Sequence, residues 1–443
     1  MPIALSEQFS FDQMVLPTPS VTADAVQDRA GVVILGAGLA GLTCAHRLAQ
    51  ARRQRLSRSE IRVLEREPHV GGRARSLQVG ASVVNLGALT FEPDHYPRYM
   101  ALLTELGLAP KIRQIRHHSM LFGIGRRVAR ADRFSLIWDG FKSVAGQGLF
   151  TPREIAHLLR FFAFFRRATA TGGEELMALH EISVAEWARR FGFSQALIRK
   201  FVEPFTHYCF RSSDEVSAAF GLFLLGFNLG RPATLDGGIG QIACAMAERL
   251  GEVIETESIV FEATREPGGF VIAYRRRGRL CRLHSRHLVV AIPANVAAQV
   301  VPAMRERARQ VEYGDGQAVI LSGRLKADFA LHLRAVIEPG EPTIYGGEAR
   351  ASGNGDSVLN LLTYRGSDAL REAAGLFVDG RVEKLVEYNI RPACAAPRPG
   401  YQALPIDWGE GLYMAGDCVG LFPSQETAVD SGEKVARLLN TVL

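Results

Sequence analysis

The sequence lacks the cysteine patterns that indicate a disulfide framework or a metal site. Its six cysteines are scattered without any Cys-x-x-Cys pair: Cys44, Cys209, Cys244, Cys281, Cys394 and Cys418. Because no pair is evident and Cys44 and Cys244 lie in apolar helical runs, we predict buried free thiols in a reducing compartment. His117 and His118 have no further ligand at metal spacing, so we expect no bound metal.

Long apolar runs are also missing. The nearest candidate, SAAFGLFLLGFNLG, falls short of the roughly 18 residues that a membrane-spanning helix needs and predicts a buried helix instead. The N-terminal stretch has no basic region followed by an apolar core, so it does not resemble a secretory signal. We interpret residues 1–29 as a flexible leader and expect a cytoplasmic protein.

Signatures of hydrolases and nucleic-acid-binding proteins are absent as well. No Ser-His-Asp or Cys-His arrangement can be argued from the sequence. The net charge is +6, and much of the excess is arginine in loops such as ARRQRLSRSEIR. Because no nucleic-acid-binding module accompanies this charge, we expect a solvated basic surface and no nucleic-acid partner. Peripheral contact with anionic lipid is the alternative.

The chain is nevertheless long and apolar enough for an ordinary folded protein. Its 443 residues exceed what one core accommodates, which predicts two or more domains. Hydrophobic residues make up 47% and charged residues 22%, a composition that argues against disorder. The composition leaves the oligomeric state open.

A nucleotide-binding turn follows the first apolar strand. Val32–Leu35 is a short β-branched run, and Gly36, Gly38 and Gly41 follow it with GxGxxG spacing. The first glycine permits a tight turn, the second lets backbone N–H groups approach a pyrophosphate, and the third lets the helix pack closely. The helix, with Leu39 and Ala40 in its first turn, directs its positive end at the phosphates. Alone, the turn fits NAD or FAD equally well.

An acidic residue ends the second strand, IRVLERE. Glu65 lies 29 residues after Gly36, and the surplus over the usual spacing of about 20 matches an arginine-rich insertion. We expect its carboxylate to accept hydrogen bonds from ribose hydroxyls, and we assign the neighbouring Arg66 to the same site. The charge at Glu65 disfavours a 2′-phosphorylated dinucleotide.

A second glycine-arginine element then points to a flavin. Gly71 and Gly72 allow a close backbone approach, and Arg73 can pair with phosphate. With this GGR run, the chain resembles the flavin amine oxidase and phytoene desaturase superfamily, which also includes protoporphyrinogen oxidase. The resemblance implies that Gly87, Ala88 and Leu89 in VVNLGALTF pass the flavin ring. Asn85 stands where the superfamily commonly has aspartate, so no charged role is expected there.

Two distant stretches extend the resemblance. It implies that the backbone at Val260 clamps the adenine end of FAD. It also implies that AGDCVGLFPSQETAVDSG is the closing segment, in which Gly416 and Asp417 reach the ribitol or a phosphate-linked oxygen. The residues Glu426, Thr427 and Ala428 would begin a helix whose dipole stabilises negative charge on reduced flavin.

The resemblance implies an α/β fold with a Rossmann-like FAD-binding domain of the glutathione-reductase type and an interleaved α+β substrate domain. We assign residues 30–92, 234–298 and 404–443 to the FAD-binding domain, and residues 93–233 and 299–403 to the substrate domain. The stretch from Pro93 to Arg231 is predicted to be mostly helical, with Ser183 and Ser213 as helix caps.

One helix of the substrate domain, residues 153–168, combines aromatic and basic side chains. Phe161, Phe162, Phe164 and Phe165 lie between arginines in TPREIAHLLRFFAFFRRA. We interpret it as a core-facing helix whose arginines reach solvent. A membrane-surface helix or the mouth of an apolar tunnel is the alternative. His207, Tyr208 and Arg211 could face the flavin, although helix packing is the favoured interpretation.

The reaction is predicted from the resemblance. We expect dehydrogenation or desaturation of a hydrophobic small molecule, of polyene or terpenoid kind, by hydride transfer to flavin N5. No catalytic side chain is assigned. The superfamily's amine oxidases carry a lysine near N5, whereas the matching stretch Gly316–Val319 has none and Lys326 comes later. Trp408 and Tyr413 are the candidates for their aromatic sandwich. Amine oxidation is therefore the alternative, and a flavin-free GDP-dissociation-inhibitor-like binding protein is the alternative of another class.

Overall fold

A computed structural model describes most of the chain. The described residues are 9–10, 26–52, 57–115, 119–124, 127–132, 150–170, 174–229, 231–326, 332–337, 346–351, 356–363, 375 and 378–443.

Nineteen strands occur in these ranges. They are β1 (Phe9–Ser10), β2 (Val26–Leu35), β3 (Ile61–Leu64), β4 (Ser76–Val79), β5 (Ser82–Asn85), β6 (Ile112–Gln114), β7 (Ser119–Ile124), β8 (Arg127–Asp132), β9 (Ala233–Leu235), β10 (Ile254–Glu255), β11 (Ser258–Glu266), β12 (Gly269–Arg276), β13 (Arg279–Val290), β14 (Tyr313–Leu325), β15 (His332–Ile337), β16 (Gly346–Ala351), β17 (Ser357–Thr363), β18 (Val378–Ala395) and β19 (Leu412–Met414).

Twelve α-helices occur in the same ranges. They are α1 (Leu39–Ala51), α2 (Pro97–Glu105), α3 (Pro152–Ala170), α4 (Glu174–Met177), α5 (Val184–Phe191), α6 (Gln195–Leu197), α7 (Glu203–Thr206), α8 (Ala218–Leu229), α9 (Gln241–Leu250), α10 (Ala294–Val300), α11 (Arg305–Ala308) and α12 (Gln425–Asn440). None of the helices in the described part of the chain has the length and apolarity to cross a membrane.

A seven-stranded sheet carries the nucleotide-binding turn. Its order is β10-β3-β2-β13-β12-β11, and β19 pairs with the second half of β13. Strands β10, β3, β2, β13 and β19 run parallel, whereas β11 and β12 are antiparallel additions. Strands β2 and β13 end in the apolar runs Val32–Leu35 and Leu288–Val290, as expected where both faces of a sheet are covered. This arrangement confirms the predicted α/β class.

Two apolar layers cover this sheet. Alternate residues of β2 point to opposite faces, as the period of a strand requires. Val32 and Ile34 pack with α1, α9 and α12. Val33 and Leu35 pack with α10 and α11 on the other face. The closing helix α12 therefore lies against α1, although the two helices stand near opposite ends of the chain.

The strand before the turn is longer than predicted. β2 begins at Val26, and its register with β13 starts at the pair Val26–Cys281. Residues 26–29 are therefore part of the sheet, and the prediction of a flexible leader up to residue 29 is wrong for them. Phe9 and Ser10 also pair with β18. Neither partner strand could be inferred locally, because β13 and β18 lie far downstream in the chain.

A second sheet of eight strands has the order β1-β18-β14-β17-β16-β15-β7-β8. Most of its pairs are antiparallel, and β14 and β18 form its longest pair. Strands β7 and β8 come from the stretch that was predicted to be mostly helical, so that prediction is wrong for residues 119–124 and 127–132. The pairing of β7 with β15 is long-range and outweighs local propensity, and β8 pairs with β7. The division into two domains, with its proposed boundaries, stays a prediction.

The helical part of residues 150–229 has its own aromatic core. Phe161 and Phe162 are buried in a cluster with Trp187, Phe193 and Phe201. The guanidinium of Arg160 lies 5.5 Å from the Phe191 ring centroid. This packing favours the core-facing interpretation of the Phe-rich helix.

The two predicted caps have different outcomes. The Ser183 hydroxyl accepts from the Glu186 N–H at 3.1 Å and caps α5, as predicted. The prediction for Ser213 is wrong, because α8 begins after Ser217, whose hydroxyl accepts from the Phe220 N–H. The Ser213 hydroxyl instead donates to Glu203.

Candidate cofactor site

The glycine turn after β2 has three different local environments. Gly36 adopts a φ of +98°, and a Cβ there would lie 2.6 Å from the Ala291 carbonyl oxygen. A Cβ on Gly41 would lie 2.1 Å from the Gly36 carbonyl oxygen. A Cβ on Gly38 would meet nothing within 4 Å. Gly36 and Gly41 are therefore required by the fold itself, whereas Gly38 faces open space.

The first helix begins at this open space without a side-chain cap. Gly38 is its N-cap, and no side chain bonds the helix start. The first intrahelical bond runs from the Leu42 N–H to the Gly38 carbonyl. The N–H groups of Leu39 and Ala40 precede that bond, in a position where helix donors need partners outside the helix. An anion fits this position because of the donors and the helix dipole.

Glu65 is buried at the end of β3, beside the turn. Its carboxylate accepts from the Ala37 N–H at 2.7 Å and from the Glu67 N–H at 2.9 Å. Burial raises the pKa of its carboxyl above the ordinary value, against the lowering effect of these two bonds. No lysine or arginine among the described residues forms an ion pair with it. Further acceptor positions on its oxygens suit hydroxyl donors such as those of a ribose. The adjacent Arg66 instead pairs with Glu67 at 3.0 Å.

The structure also brings the start of β11, which contains the predicted adenine-end residue Val260, to the backbone of Glu65. The Ser258 N–H donates to the Glu65 carbonyl at 2.7 Å, and the Glu257 N–H donates to the Glu67 carbonyl. Val260 follows two residues after Ser258, directly before a β-bulge. The start of β11 therefore lies beside the acidic end of β3, although the two strands are far apart in the sequence.

Arg73 and Asp417 pair with each other. The two guanidinium N–H groups donate to the two carboxylate oxygens at 2.7 and 2.9 Å. Burial opposes the charge on Arg73, but Asp417 outweighs it and the pKa of the guanidinium is raised. The side chain of Arg73 is 32% exposed and that of Asp417 is 11% exposed. The residues were predicted to contact different parts of the cofactor, and their mutual ion pair was not anticipated.

The glycines around this ion pair hold neighbouring backbones close together. Gly71 and Gly72 have positive φ angles, and a Cβ on Gly72 would lie 3.4 Å from the Gly38 Cα. A Cβ on Gly87 would lie 2.2 Å from the Arg73 carbonyl oxygen, and the Ala88 N–H donates to that oxygen. The GGR run thus lies between the nucleotide turn and the Gly87–Leu89 segment.

Asn85 is a buried junction just before that segment. Its amide oxygen accepts from the Ile239 N–H and the Ser76 hydroxyl, each at 2.8 Å. Its backbone N–H donates to Glu348, and the Asn360 side chain donates to its carbonyl. The absence of a charge at Asn85 fits this packed environment, and its bonds fix the path of residues 87–89.

The closing segment differs from its prediction in detail. Gly416 has a φ of +155°, and its N–H donates to Ser431. Helix α12 begins at Gln425, and the Ser424 hydroxyl accepts from the Thr427 N–H at 3.1 Å.

The Glu426 carboxylate takes part in helix packing. It accepts from the Arg98 and Tyr99 N–H groups and so caps α2. Its side chain and the Thr427 N–H are therefore engaged within the protein. Among the first N–H groups of α12, Ala428 donates to the Ser424 carbonyl.

An aromatic stack adjoins this segment and was missed at the sequence level. Phe422 stacks on Phe223 with ring centroids 4.8 Å apart, and Phe223 stacks on Phe220 at 6.1 Å. The His180 ring lies 5.9 Å from Phe422. Phe223 and Phe422 are half-buried. The stack joins α8 to the loop between Asp417 and α12. In the sequence, the signal for it was an aromatic residue, Phe422, three residues before the start of the closing helix.

Other sequence candidates lie away from this junction. Trp408 and Tyr413 pack on opposite faces of the seven-stranded sheet, so they cannot form an aromatic sandwich. Arg211 donates to Glu215 and to the Tyr313 carbonyl. His207 is buried 3.5 Å from Glu203, in agreement with helix packing.

Three candidate side chains fall outside the part of the chain that the structure describes. His117 and His118, and the side chain of Tyr208, lie outside the described residues. Within the described part, no group of three or more His, Cys, Asp or Glu side chains could hold a metal ion.

Comparisons with known proteins agree with this geometry. Residues 39–389 match the family model described as flavin-containing amine oxidoreductase. A search of curated proteins gave no match.

Solved structures share the fold. Putrescine oxidase bound to putrescine superposes with a TM-score of 0.72 at 15% identity, over 94% of this chain and 100% of that one. Cyclohexylamine oxidase from Brevibacterium oxydans gives a TM-score of 0.68 at 17% identity, over 93% and 99%.

Proposed function

Because the chain belongs to the flavin-containing amine oxidoreductase family, and is thus an FAD-dependent oxidoreductase, we propose that it dehydrogenates a hydrophobic small molecule. FAD, when bound, would supply a two-electron acceptor for a hydride from a substrate C–H bond. The protein's own contribution is to hold the cofactor, bury the substrate and exclude water.

The proposed cofactor contacts lie along the nucleotide cradle, which is the strand–turn–helix unit of Val32–Leu35, Gly36–Gly41 and the start of α1. The open space at Gly38 and the N–H groups of Leu39 and Ala40 would accommodate the pyrophosphate. The Glu65 carboxylate would accept from the ribose hydroxyls. Arg73 and Asp417 would contact FAD as a preformed ion pair, so the cofactor would meet a nearly neutral, fixed group rather than two separate charges.

The remaining assignments divide into contacts and supports. Five glycines would allow a close approach of backbone segments: Gly36, Gly41, Gly71, Gly72 and Gly87. Four further residues would line the site because of where they lie in the fold: Ala88, Leu89, Val260 and Gly416. Glu426 and Thr427 would support the site by fixing the start of α12 rather than by touching the flavin. Arg66, which pairs with Glu67, would lie at the rim.

The observation that carries the substrate proposal is the stack of Phe220, Phe223 and Phe422. Its two half-buried rings are apolar surface that a hydrophobic ligand would remove from water, at about 25 cal/mol per Å². The titratable ring beside Phe422 is that of His180, and burial lowers its pKa below 6.5, so it is neutral at pH 7. This environment favours an uncharged apolar substrate.

Amine oxidation is the second candidate, and the family description favours it. Aromatic faces also attract cations, so the stack is compatible with an ammonium group. The five described lysines, however, are engaged elsewhere. Lys111, Lys200, Lys326, Lys384 and Lys434 bond to Gln241, Glu154, the Gly375 carbonyl, Glu387 and Asp430. None of these bonds involves Arg73, Asp417 or the aromatic stack, which makes a lysine-assisted amine oxidation the weaker proposal.

Anaerobic reduction of the bound flavin separates these two candidates. The holoenzyme would be mixed with putrescine and cyclohexylamine in one series and with phytoene and geraniol in another. Loss of the oxidised-flavin absorbance is recorded. We expect a neutral apolar compound to bleach the flavin, whereas rapid bleaching by amines alone would replace the first proposal with the second.

A further inference from the structure

Two cysteines from distant parts of the chain meet beside the Arg73–Asp417 pair. Cys209 ends a short 3₁₀ helix, His207–Cys209, and Cys394 is the penultimate residue of β18. Gly314 of β14 pairs in register with Cys394. A Cβ on Gly314 would lie 1.8 Å from the Cys209 carbonyl oxygen. The missing side chain at Gly314 therefore lets the Cys209 backbone lie directly against the strand that neighbours Cys394.

The two thiols contact each other. Interaction with the Cys394 side chain, together with burial, raises the pKa of the Cys209 thiol. The Cys394 S–H donates to the Ala395 carbonyl at 3.3 Å. Both residues belong to one apolar cluster with Val216 and Phe220. All six cysteines are free in this structure; the prediction that they are buried is wrong for Cys244, which is exposed.

Their environments are unequal. Cys209 is buried, whereas Cys394 is half-buried. The Arg73 guanidinium donates to the carbonyl of Ala393, the residue before Cys394. The more exposed of two thiols is the one that an oxidant from solvent reaches first. Cys394 is thus suited to attack, and Cys209 to resolve.

We propose that Cys209 and Cys394 form a reversible disulfide, a redox modification site next to the predicted cofactor pocket. A hydroperoxide serves as the oxidant: the Cys394 thiolate attacks its terminal oxygen, the O–O bond breaks, and Cys394 sulfenic acid and an alcohol or water form. The Cys209 sulfur then attacks the sulfenic sulfur, its proton leaves with the hydroxide as water, and the S–S bond forms. A cellular thiol reverses the reaction by exchange.

The disulfide would join two parts of the molecule that now only pack together. It would tie the 3₁₀ helix at 207–209, and through it the helical region before α8, to the strand next to Arg73. If oxygen were the electron acceptor of the bound flavin, hydrogen peroxide would form beside this site, and it belongs to the class of oxidant that the proposal names.

Thiol mapping of the intact holoprotein tests the proposal without any substrate. The protein is reduced, desalted, exposed to one equivalent of hydrogen peroxide and quenched with N-ethylmaleimide. Thiols are counted under denaturing conditions, and unreduced peptides are mapped by mass spectrometry. We expect the loss of two of the six thiols, one cross-linked peptide pair joining residues 209 and 394, and full recovery with dithiothreitol.

Single variants test the inequality of the two thiols. Cys209→Ser should stop at a Cys394 sulfenic acid that dimedone traps, whereas Cys394→Ser should give neither cross-link nor adduct at Cys209. Cys281→Ser is the matched control, because Cys281 is also half-buried and should leave the cross-link intact. Six intact thiols in the peroxide-treated wild type, or a cross-link between any other pair, would overturn the proposal. The wild-type measurement decides it even if a variant fails to fold.

Discussion

Two glycines of the same turn should respond oppositely to the same substitution. Gly38→Ala places a methyl group in open space, at an extended backbone conformation (φ −76°, ψ −178°) that alanine adopts freely. The loss of a glycine N-cap lowers the free energy of unfolding, whereas the smaller conformational freedom of alanine in the unfolded chain raises it. Each effect is less than about 1 kcal/mol. The apo-protein should therefore keep its stability within about 1 kcal/mol.

The same methyl group should weaken the binding of the cofactor. It would lie where a pyrophosphate approaches the backbone, and displacement of one phosphate contact should raise the Kd for FAD at least tenfold, or about 1.4 kcal/mol. Gly41→Ala instead forces its Cβ to 2.1 Å from the Gly36 carbonyl oxygen. Backbone cannot rotate away as a side chain can, so we expect a loss of about 1–3 kcal/mol in the free energy of unfolding.

Two titrations on apo-protein measure this contrast. Urea unfolding followed by tryptophan fluorescence gives stability, and quenching of added FAD fluorescence gives Kd. The reasoning would be refuted if Gly38→Ala bound FAD with the wild-type Kd. It would equally fail if the two variants lost the same stability in the absence of cofactor.

Three further changes test the ion pair, the aromatic stack and the buried histidine. Asp417→Asn leaves the Arg73 guanidinium without its carboxylate and should lower the free energy of urea unfolding by about 1–3 kcal/mol. The control is Asp430→Asn, which breaks a partly exposed i,i+4 pair with Lys434 and should change that free energy by less than about 0.5 kcal/mol. Phe422→Ala should raise KM for an apolar substrate roughly tenfold with a smaller change in kcat, and an unchanged KM would contradict the proposed role of the stack. Burial lowers the pKa of His180 below 6.5, so the folded state binds fewer protons than the unfolded chain; stability should fall as the pH drops below 6.5, and His180→Asn should reduce the difference between unfolding curves at pH 7.5 and 5.5.

The nucleotide cradle was predictable because its information is local. The strand Val32–Leu35, the spacing of Gly36, Gly38 and Gly41, and the helix after them form one continuous segment. A strand–turn–helix unit imposes its own backbone requirements, and only glycine satisfies them at Gly36 and Gly41. The family match then agreed with the cofactor prediction that rested on these residues and the GGR run.

Long-range pairing explains the errors. β7 became a strand because β15, which comes much later in the chain, supplies its partner, and β8 pairs with β7. Residues 26–29 joined the sheet because β13 continues past them. The Glu426 carboxylate accepts from the N-terminus of α2, a contact that was not foreseen, while the place of Glu426 beside the flavin stays a prediction.

The sequence by itself determined the position of the phosphate-binding turn, which depends on contiguous residues with strict backbone demands. It also determined the cofactor class and the α/β fold, through a resemblance that joins this turn to the GGR run and to the distant closing segment. Only the tertiary structure decided that Arg73 pairs with Asp417, that Phe422 stacks on Phe223, and that Cys209 meets Cys394. Each of these contacts joins residues from widely separated segments of the chain. Local propensity carries no information about such pairs, because they exist only where the packed sheets and helices bring the segments together.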